Sequence, residues 1–354
     1  MIILTLLIIC IVKRRKNIAA FRLDGEGSID FSGYIELGGI KQYVSVRGES
    51  DRNPILLFLH GGPGAPVSCV SYCYQRPLER SLTVVNWDQR GSGRTYYENA
   101  DCSGITIDTL VTDLEELIGL LRDKLPGRKI YLLGFSFGTA IALNYLSRHP
   151  EGVDAYISVG QCVDMKKGLD VNIERVISSG KKGARFDDVN MHRLLDRIYA
   201  CTEGTAIGGI KNYMRLQRLF SGSISLGNEK SIAGYFIMGS VSPFLGARDL
   251  RWKLKQCLDT KGYFTVESEL MKYLFLEFDA LRLVKDFRIP VCFLSGEGDY
   301  TTPVSLVKEY ARTVTAPNKR MLTVKRAGHS PMFDRPEAFV AAMNEVIAEL
   351  AVRA

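Results

Sequence analysis

Residues 129–146 read KIYLLGFSFGTAIALNYL, and the architecture of the whole chain can be worked out from them. A strand-like apolar run ends at Gly134, and a helical pattern begins at Thr139. Ser136 therefore stands on a sharp strand-to-helix turn, where a strained backbone tolerates only small residues at positions 134 and 138. Such a turn presents the hydroxyl at the sheet edge, beside the positive end of the next helix. This context predicts that Ser136 is a nucleophile.

Apolar runs before this turn predict further strands. Ile55–Leu59 and Leu82–Trp87 are mostly apolar, as strands buried on both faces of a parallel sheet are. Ile35–Val46 has the pattern of an opening strand or hairpin. Between them and the turn, apolar residues spaced by three and four predict a helix that begins after Thr106 and ends before Pro126.

The alternation of strands and helices stops after residue 159 and resumes near residue 290. The residues between contain helical patterns and glycine-rich turns without clear strands. This layout predicts an α/β fold, with a mostly parallel central sheet and helices on both faces. Residues 28–161 and 286–354 would form its core, and residues 162–285 a helical cap insertion over the site.

Composition excludes several classes of protein. The chain has 354 residues, of which 46% are hydrophobic and 24% charged, so fibrous and disordered classes are excluded. The net charge is +7, and more than half of it comes from Lys13, Arg14, Arg15 and Lys16, so we predict no nucleic-acid partner. The eight cysteines show neither paired CxxC units nor a regular framework. We predict free thiols and neither a metal nor an organic cofactor.

A nucleophilic serine needs a base, and the chain has only four histidines. His149 ends a helix and should face solvent, and His192 lies in a basic stretch of the insertion. His60 opens a glycine loop, which we expect it to brace. His329 follows the last strand on a loop that glycine and proline make sharp, so it is the predicted base.

A carboxylate must orient this histidine and stabilise its imidazolium form. Asp299 and Glu297 both follow the strand near residue 293, and Glu297 is closer to its end. Asp299 is preferred because a shorter carboxylate at the loop's turn resembles the usual placement. The resulting chain order, Ser136 then Asp299 then His329, is that of the α/β-hydrolase architecture.

The tetrahedral intermediate needs two backbone donors, each worth about 2.7–4 kcal/mol where such donors have been removed. The N–H of Phe137, directly after the nucleophile, is one predicted donor. The other should come from His60-Gly61-Gly62-Pro63-Gly64, and Gly62 is the first choice. Glycines there let the backbone approach a substrate closely.

Several motifs together resemble one branch of the α/β-hydrolase superfamily, the prolyl aminopeptidases or proline iminopeptidases. They are HGGPG at 60–64, WDQRGSGRT at 87–95, the turn around Ser136 and GHS at 328–330. The resemblance covers about residues 35–160 and 285–350. It implies a serine hydrolase that removes an amino-terminal proline from peptides, with the insertion as a cap over the active site. It also implies that the loop 88–94 is a scaffold beneath the site.

The chain departs from that branch at two points. Phe135 and Phe137 flank the nucleophile, where the family typically has glycine and tryptophan. The family binds the substrate's ammonium with acidic cap residues, but none of those here lies in a matching motif, and each alone reads as a solvated side chain. A membrane-proximal carboxylesterase or lipase therefore stays open as an alternative to the peptidase, and a non-catalytic binding module as a third. The acidic residues in range are Glu174, Glu203, Glu229, Glu267, Glu269 and Glu277.

The amino terminus combines an apolar run, Ile2–Val12, with the four cations at 13–16. As a helix the run rises about 16 Å, against about 30 Å of bilayer hydrocarbon. Residues 1–16 are predicted to be a membrane-anchor segment, either a shortened signal-anchor or a helix that dips into a membrane from the cytoplasmic side. The alternative is a helix or strand packed on the domain of a cytoplasmic protein, which four adjacent cations disfavour.

Overall fold

A computed structural model describes residues 2–178, 193, 206–227 and 229–352, and the statements below concern these residues. The core is one eight-stranded sheet in the order β1-β2-β4-β3-β5-β6-β7-β8. The strands are β1 (Ile29–Leu37), β2 (Ile40–Gly48), β3 (Ile55–Leu59), β4 (Thr83–Asp88), β5 (Ile130–Phe135), β6 (Ala155–Val159), β7 (Val291–Gly296) and β8 (Lys319–Val324).

Strand direction follows the prediction of a mostly parallel sheet. β1 and β2 form an antiparallel hairpin, and β2 runs antiparallel to β4. All five remaining pairings are parallel. Every residue of β3 to β7 is buried, which explains their continuous apolar runs.

Helices cover both faces of the sheet, as the sequence predicts. Residues of α4, α5 and α13 pack in one apolar cluster, and residues of α2, α14 and α15 pack in the cluster on the other face. The helix predicted after Thr106 is α4, whose first turn is capped by the Thr106 hydroxyl, which accepts from Thr109 N–H. The helices before β7 are α1 (Ile2–Ala20), α2 (Gln75–Leu78), α3 (Gly93–Tyr96), α4 (Ile107–Lys124), α5 (Phe137–Arg148), α6 (Met165–Ser178), α7 (Ala206–Ile224), α8 (Ile232–Ser240), α9 (Ala247–Leu258), α10 (Thr260–Val266), α11 (Ser268–Lys272) and α12 (Ala280–Leu283); those after it are α13 (Val304–Thr313), α14 (Pro331–Asp334) and α15 (Pro336–Val352).

Between β6 and β7, the part of the chain that the structure describes is helical and contains no strand. α6 and α7 bury a small apolar cluster of their own, which includes Leu169, Ile173 and Phe220. α9 and α10 lie against the loop at residues 60–64. The boundaries 162–285 for the cap remain a prediction, and His192 and Glu203 lie outside the described residues.

α1 is longer than the predicted anchor segment and packs on the body by one side. Arg14 Nη2 donates to the Leu245 carbonyl over 2.8 Å, and Asn17 Nδ2 donates to the Val241 carbonyl over 2.8 Å. Arg14 therefore overturns the expectation that the basic cluster would not pack, whereas Lys13, Arg15 and Lys16 are exposed. Among the described residues, no helix combines the length and the apolarity that crossing a bilayer requires.

Candidate active site

Ser136 occupies the strained turn that the sequence predicts. Its φ is +53° and its ψ −121°, a conformation rare for a non-glycine residue. Its N–H donates to the Val159 carbonyl over 2.9 Å, and its carbonyl accepts from Thr139 N–H over 2.8 Å. A Cβ at Gly138 would lie 2.2 Å from the Leu59 carbonyl oxygen, and one at Gly134 would lie 2.8 Å from the Gly138 carbonyl oxygen. The requirement for small residues at these two positions is thereby confirmed.

Three side chains distant in sequence form one hydrogen-bonded line. The Ser136 hydroxyl donates to His329 Nε2 over 2.9 Å. His329 Nδ1 donates to Asp299 Oδ2, also over 2.9 Å. A hydroxyl, an imidazole and a carboxylate in this order can move a proton off the hydroxyl oxygen and stabilise the imidazolium that results.

Asp299 is buried and is held by four hydrogen bonds. Oδ1 accepts from Thr301 N–H over 2.9 Å and from Thr302 N–H over 2.8 Å. Oδ2 accepts from the Thr302 hydroxyl over 2.7 Å and from His329. The rival Glu297 is exposed and accepts instead from Arg326 N–H over 2.9 Å. The geometry therefore agrees with the preference for Asp299.

The glycine loop lies directly beside the nucleophile. A Cβ at Gly61 would lie 2.8 Å from Ser136 Cβ, so only glycine permits this approach. Gly62 follows with φ +119°, in the region that favours glycine. Phe137 is the first residue of α5, so its N–H is among the four that have no partner within a helix. Phe137 thus carries a free helical N–H next to Ser136 in sequence, and Gly62 follows the glycine that abuts Ser136.

His60 braces this loop, as expected from the sequence. Its Nε2 accepts from Gln89 N–H over 3.2 Å, which leaves Nδ1–H to donate to the Gly61 carbonyl over 2.9 Å. Gln89 Nε2 in turn donates to the His60 carbonyl over 3.2 Å. Burial lowers the pKa of His60 to about 4, so the imidazole is neutral near pH 7.

The loop at residues 88–94 links the sheet to the cap. Asp88 is fully buried, and burial raises its pKa to about 6 although Arg94 N–H and the Ser68 hydroxyl donate to its carboxyl group. The Arg94 guanidinium reaches Asp249 at the start of α9, with Nη2 2.6 Å from Oδ2. No atom of this loop is hydrogen-bonded to Ser136, Asp299 or His329 among the described residues.

Glu267 is a buried acidic residue that the sequence does not reveal. Neither of its carboxylate oxygens has a hydrogen-bond partner within the described ranges. A Cβ at Gly64 would lie 2.3 Å from Oε1, so the carboxyl group abuts the glycine loop. Burial raises the pKa of Glu267 well above its ordinary value. The expectation of a solvated side chain is therefore wrong for Glu267, because α10 and α11 pack it against a loop that is distant in sequence.

Cap residues around Glu267 hold the same loop. Trp252 Nε1 and Gln256 Nε2 each donate to the Gly64 carbonyl over 3.0 Å, and the Tyr263 hydroxyl donates to the Pro63 carbonyl over 2.6 Å. Of the other acidic cap residues, Glu229 is half-buried, and three are exposed: Glu174, Glu269 and Glu277.

Two further contacts at the triad also escape sequence reasoning. The Phe135 ring lies 5.2 Å from the imidazole of His329, centroid to centroid. The Thr302 hydroxyl lies 3.4 Å from His329 Nδ1. His149 takes no part here: it stacks on Tyr145 at 4.8 Å and is half-buried.

The described residues include no group of three or more histidine, cysteine or acidic side chains placed to hold a metal ion. The seven cysteines within the same ranges are free thiols, as the sequence predicts, and four of them are at least partly exposed.

Comparison with known proteins agrees with this geometry. Residues 54–179 match the family of the alpha/beta hydrolase fold. The chain is 28% identical over 307 residues to a probable aminopeptidase of Bacillus subtilis, and this match covers 86% of this chain and 92% of that protein. It is 32% identical over 133 residues to the proline iminopeptidase of Lactobacillus helveticus, covering 37% of this chain and 42% of that enzyme. The solved structure of a proline iminopeptidase-related protein from Thermus thermophilus superposes with a TM-score of 0.59, at 24% identity, over 91% of this chain and 98% of that one. The chain has the α/β-hydrolase fold.

The chain resembles the prolyl aminopeptidase branch of this fold, as its motifs predict. The order of the sheet and the strand-to-helix turn at Ser136 agree with this fold. The chain is a hydrolytic enzyme, and its similarity to the alpha/beta hydrolases indicates the serine type.

Proposed function

We propose that the hydrolase removes the first residue, preferably proline, from small peptides with a free amino terminus, through an acyl-enzyme. The hydrogen-bonded line from Ser136 through His329 to Asp299 supports serine hydrolysis. The similarity to an aminopeptidase and to a proline iminopeptidase supports the substrate class. The single observation that carries the preference for a free amino terminus is the buried, unpartnered carboxyl group of Glu267 beside the glycine loop.

In the proposed reaction, Ser136 Oγ attacks the carbonyl carbon of the first residue while His329 Nε2 takes its proton. Asp299 holds the imidazole in the tautomer that can accept this proton and stabilises the imidazolium. His329 then gives the proton to the leaving amine nitrogen as the C–N bond breaks. Water attacks the acyl-enzyme, His329 accepts its proton and returns it to Ser136 Oγ, and the free amino acid leaves.

The tetrahedral intermediates carry a negative oxygen, for which we propose Gly62 N–H and Phe137 N–H as donors. Phe137 N–H is free of helical bonding and sits at the positive end of α5. The glycine loop brings the other donor within reach, since Gly61 has no Cβ to keep it from Ser136. Two fixed donors of this kind stabilise the transition state by about 2.7–4 kcal/mol each.

We propose that Glu267 binds the substrate's ammonium group. A buried carboxyl group without a partner is expensive, and a cation beside it restores the ionised form. Gly64 touches Glu267 and Gly61 touches Ser136, and three residues span at most about 11 Å. The two groups that a first residue must contact thus abut the same short loop.

The test compares a chromogenic prolyl amide that has a free amine, its N-acetyl derivative, and a short-chain ester. For the free amine, E267Q should lower kcat/KM by at least about tenfold, a value typical of a lost charged hydrogen bond. For the ester and the acetylated amide it should change little. E269Q is the matched control, because Glu269 is exposed and two residues away. Ester turnover faster by orders of magnitude, without prolyl amide cleavage, would select the carboxylesterase or lipase instead.

The pH dependence of this comparison separates Glu267 from the triad. The pKa of Glu267 is raised, so its carboxyl group stays protonated to higher pH than an exposed glutamate. Ionisation favours ammonium binding, so the kcat/KM ratio of free to acetylated substrate should rise as pH passes upward through that pKa. E267Q should abolish this rise.

Failure of a fluorophosphonate probe to label the wild type at Ser136 would favour the non-catalytic binding module.

We also propose that α1 brings the hydrolase to a membrane surface, on the cytoplasmic side. Ile8, Ile11 and Val12 are exposed, and the cations Lys13 and Lys16 follow them. Removal of residues 1–16 should abolish sedimentation with vesicles and leave hydrolysis of soluble substrates intact. Sedimentation of the truncated protein at the wild-type level would overturn this part of the proposal.

A further inference from the structure

The exposed apolar side chains of α1 have counterparts on the cap helix α8. All six side chains of this docking face are between 44% and 62% exposed, although large aliphatic and aromatic residues are usually buried. Large exposed apolar patches on folded chains mark sites that bind a partner or a membrane. The docking face consists of Ile8, Ile9, Ile11 and Val12 from α1 with Phe236 and Ile237 from α8.

Direct contacts join the two halves of this face. Cys10 Sγ lies 3.6 Å from the Ser240 hydroxyl, which itself donates to the Ile237 carbonyl over 2.8 Å. One turn further along α1, Arg14 and Asn17 are bonded to the carbonyls that follow α8. α1 therefore has a fixed position against the end of α8, and both helices carry exposed apolar side chains near this junction.

Unpaired cations border the docking face. Lys13, Arg15 and Lys16 are exposed, and none of them forms a salt bridge with a described residue. Apolar groups bordered by lysine and arginine match a bilayer interface, in which acyl chains lie below anionic phosphate groups. A partner protein of the same chemistry would need an acidic rim around an apolar groove.

We propose that α1 and α8 together dock the hydrolase on the surface of an anionic phospholipid bilayer. The inference rests on the proposed membrane association and deepens it, because it adds the cap helix and specifies the charge of the lipid. The apolar side chains enter the interface, and the three cations contact lipid phosphates.

Docking through α8 also determines the position of the loop that contains His329 relative to the bilayer. Lys230 N–H, just before α8, donates to Asp334 Oδ1 over 2.8 Å. Asp334 Oδ2 accepts from Gly328 N–H over 2.9 Å, and Gly328 precedes His329. On the same side, the Tyr235 ring lies 5.5 Å from that of Phe333. The side of α8 opposite the lipid therefore holds the loop of the predicted base.

The first experiment changes α8 and leaves α1 intact. F236S/I237S should weaken binding of the full chain to vesicles that contain phosphatidylglycerol by at least about tenfold, because two apolar side chains no longer enter the interface. L258S is the matched control, since Leu258 on α9 is 81% exposed and lies outside the docking face. Turnover of a soluble substrate should be unchanged in both variants, which verifies folding.

The second experiment concerns charge. K13Q, R15Q and K16Q should each weaken binding to these vesicles about fivefold, and a rise from about 0.1 M to about 1 M salt should remove most of the charge contribution. K261Q/K285Q, which removes two exposed cations elsewhere, should have little effect. Vesicles of phosphatidylcholine alone should bind the wild type weakly.

Several outcomes would overturn the inference and leave the peptidase proposal standing. Wild-type binding by F236S/I237S would exclude α8 from the surface, and equal binding to neutral and anionic vesicles would exclude the role of charge. Light scattering that shows a wild-type dimer and an F236S/I237S monomer would identify a second copy as the occupant. Conversely, loss of prolyl amide cleavage with intact vesicle binding would refute only the proposed function.

Discussion

Replacing Asp299 by asparagine should disable the enzyme without unfolding it. The asparagine oxygen can keep the two backbone donors of Thr301 and Thr302, or it can face His329, but not both. Facing His329 would put its NH2 group against two buried N–H donors, and each unsatisfied group costs about 1–3 kcal/mol. The NH2 group should therefore point at His329.

This orientation of the amide favours the unproductive tautomer of His329. An amide NH2 group next to Nδ1 favours the tautomer in which Nδ1 accepts and Nε2 carries hydrogen, so Nε2 cannot take the proton of Ser136. The equivalent change in serine proteases lowers kcat about 10⁴-fold, which corresponds to about 5 kcal/mol. D299N should lose a similar factor and keep its stability within about 1 kcal/mol, because both bonds to Oδ1 persist.

The assay is steady-state kinetics on whichever chromogenic substrate the wild type cleaves, together with urea unfolding. E297Q is the control, because Glu297 also follows β7 but is exposed and bonded to Arg326 N–H. It should change kcat less than about twofold. A D299N enzyme within tenfold of the wild type, or a larger loss in E297Q, would refute the assignment of the orienting carboxylate.

Three further predictions concern stability. The pKa of His60 is lowered to about 4, so keeping its imidazole neutral contributes about 3 kcal/mol to the unfolding free energy above pH 6.5. This contribution is lost as pH falls toward 4. The difference in unfolding free energy between wild type and H60Q, measured across this range, should show that loss. G138A should lower the unfolding free energy by about 3 kcal/mol or more, because its Cβ meets a backbone carbonyl. G119A, whose Cβ lies in open space on α4, should raise the unfolding free energy by about 0.5–1 kcal/mol. Thermal unfolding measures both changes. D249A should lower the unfolding free energy by about 3–5 kcal/mol, because the half-buried Arg94 guanidinium loses its carboxylate partner. R94M/D249A should recover part of this loss, and equal stability of the two variants would argue against this account.

The triad could be predicted because its members are fixed by local sequence. Ser136 lies in a glycine-flanked turn, and Asp299 and His329 follow β7 and β8 directly. The carboxyl ends of parallel strands meet at one edge of the sheet, so the three positions converge once the strands are assigned. The glycine loop after β3 reaches the same edge for the same reason.

Glu267 and Arg14 could not be predicted, because their surroundings come from distant segments. Glu267 abuts the loop that contains Gly64, some two hundred residues earlier, and no periodicity in the helices on either side of it indicates that contact. Arg14 is satisfied by carbonyls after α8, so a cation that would not pack against side chains packs against backbone. Such contacts depend on how the cap sits on the core.

We propose that the glycine loop limits cleavage to the first peptide bond, although the triad itself is common to many hydrolases. In a first residue the ammonium nitrogen and the scissile carbonyl carbon are separated by a single Cα, so a near-attack serine and a bound carboxylate lie within about 8 Å of each other. Gly61 and Gly64 contact Ser136 and Glu267 and are three residues apart. One additional residue would carry the ammonium about 3.5 Å further along an extended chain, beyond the carboxylate. On this proposal the short loop, rather than the triad, restricts cleavage to the first peptide bond.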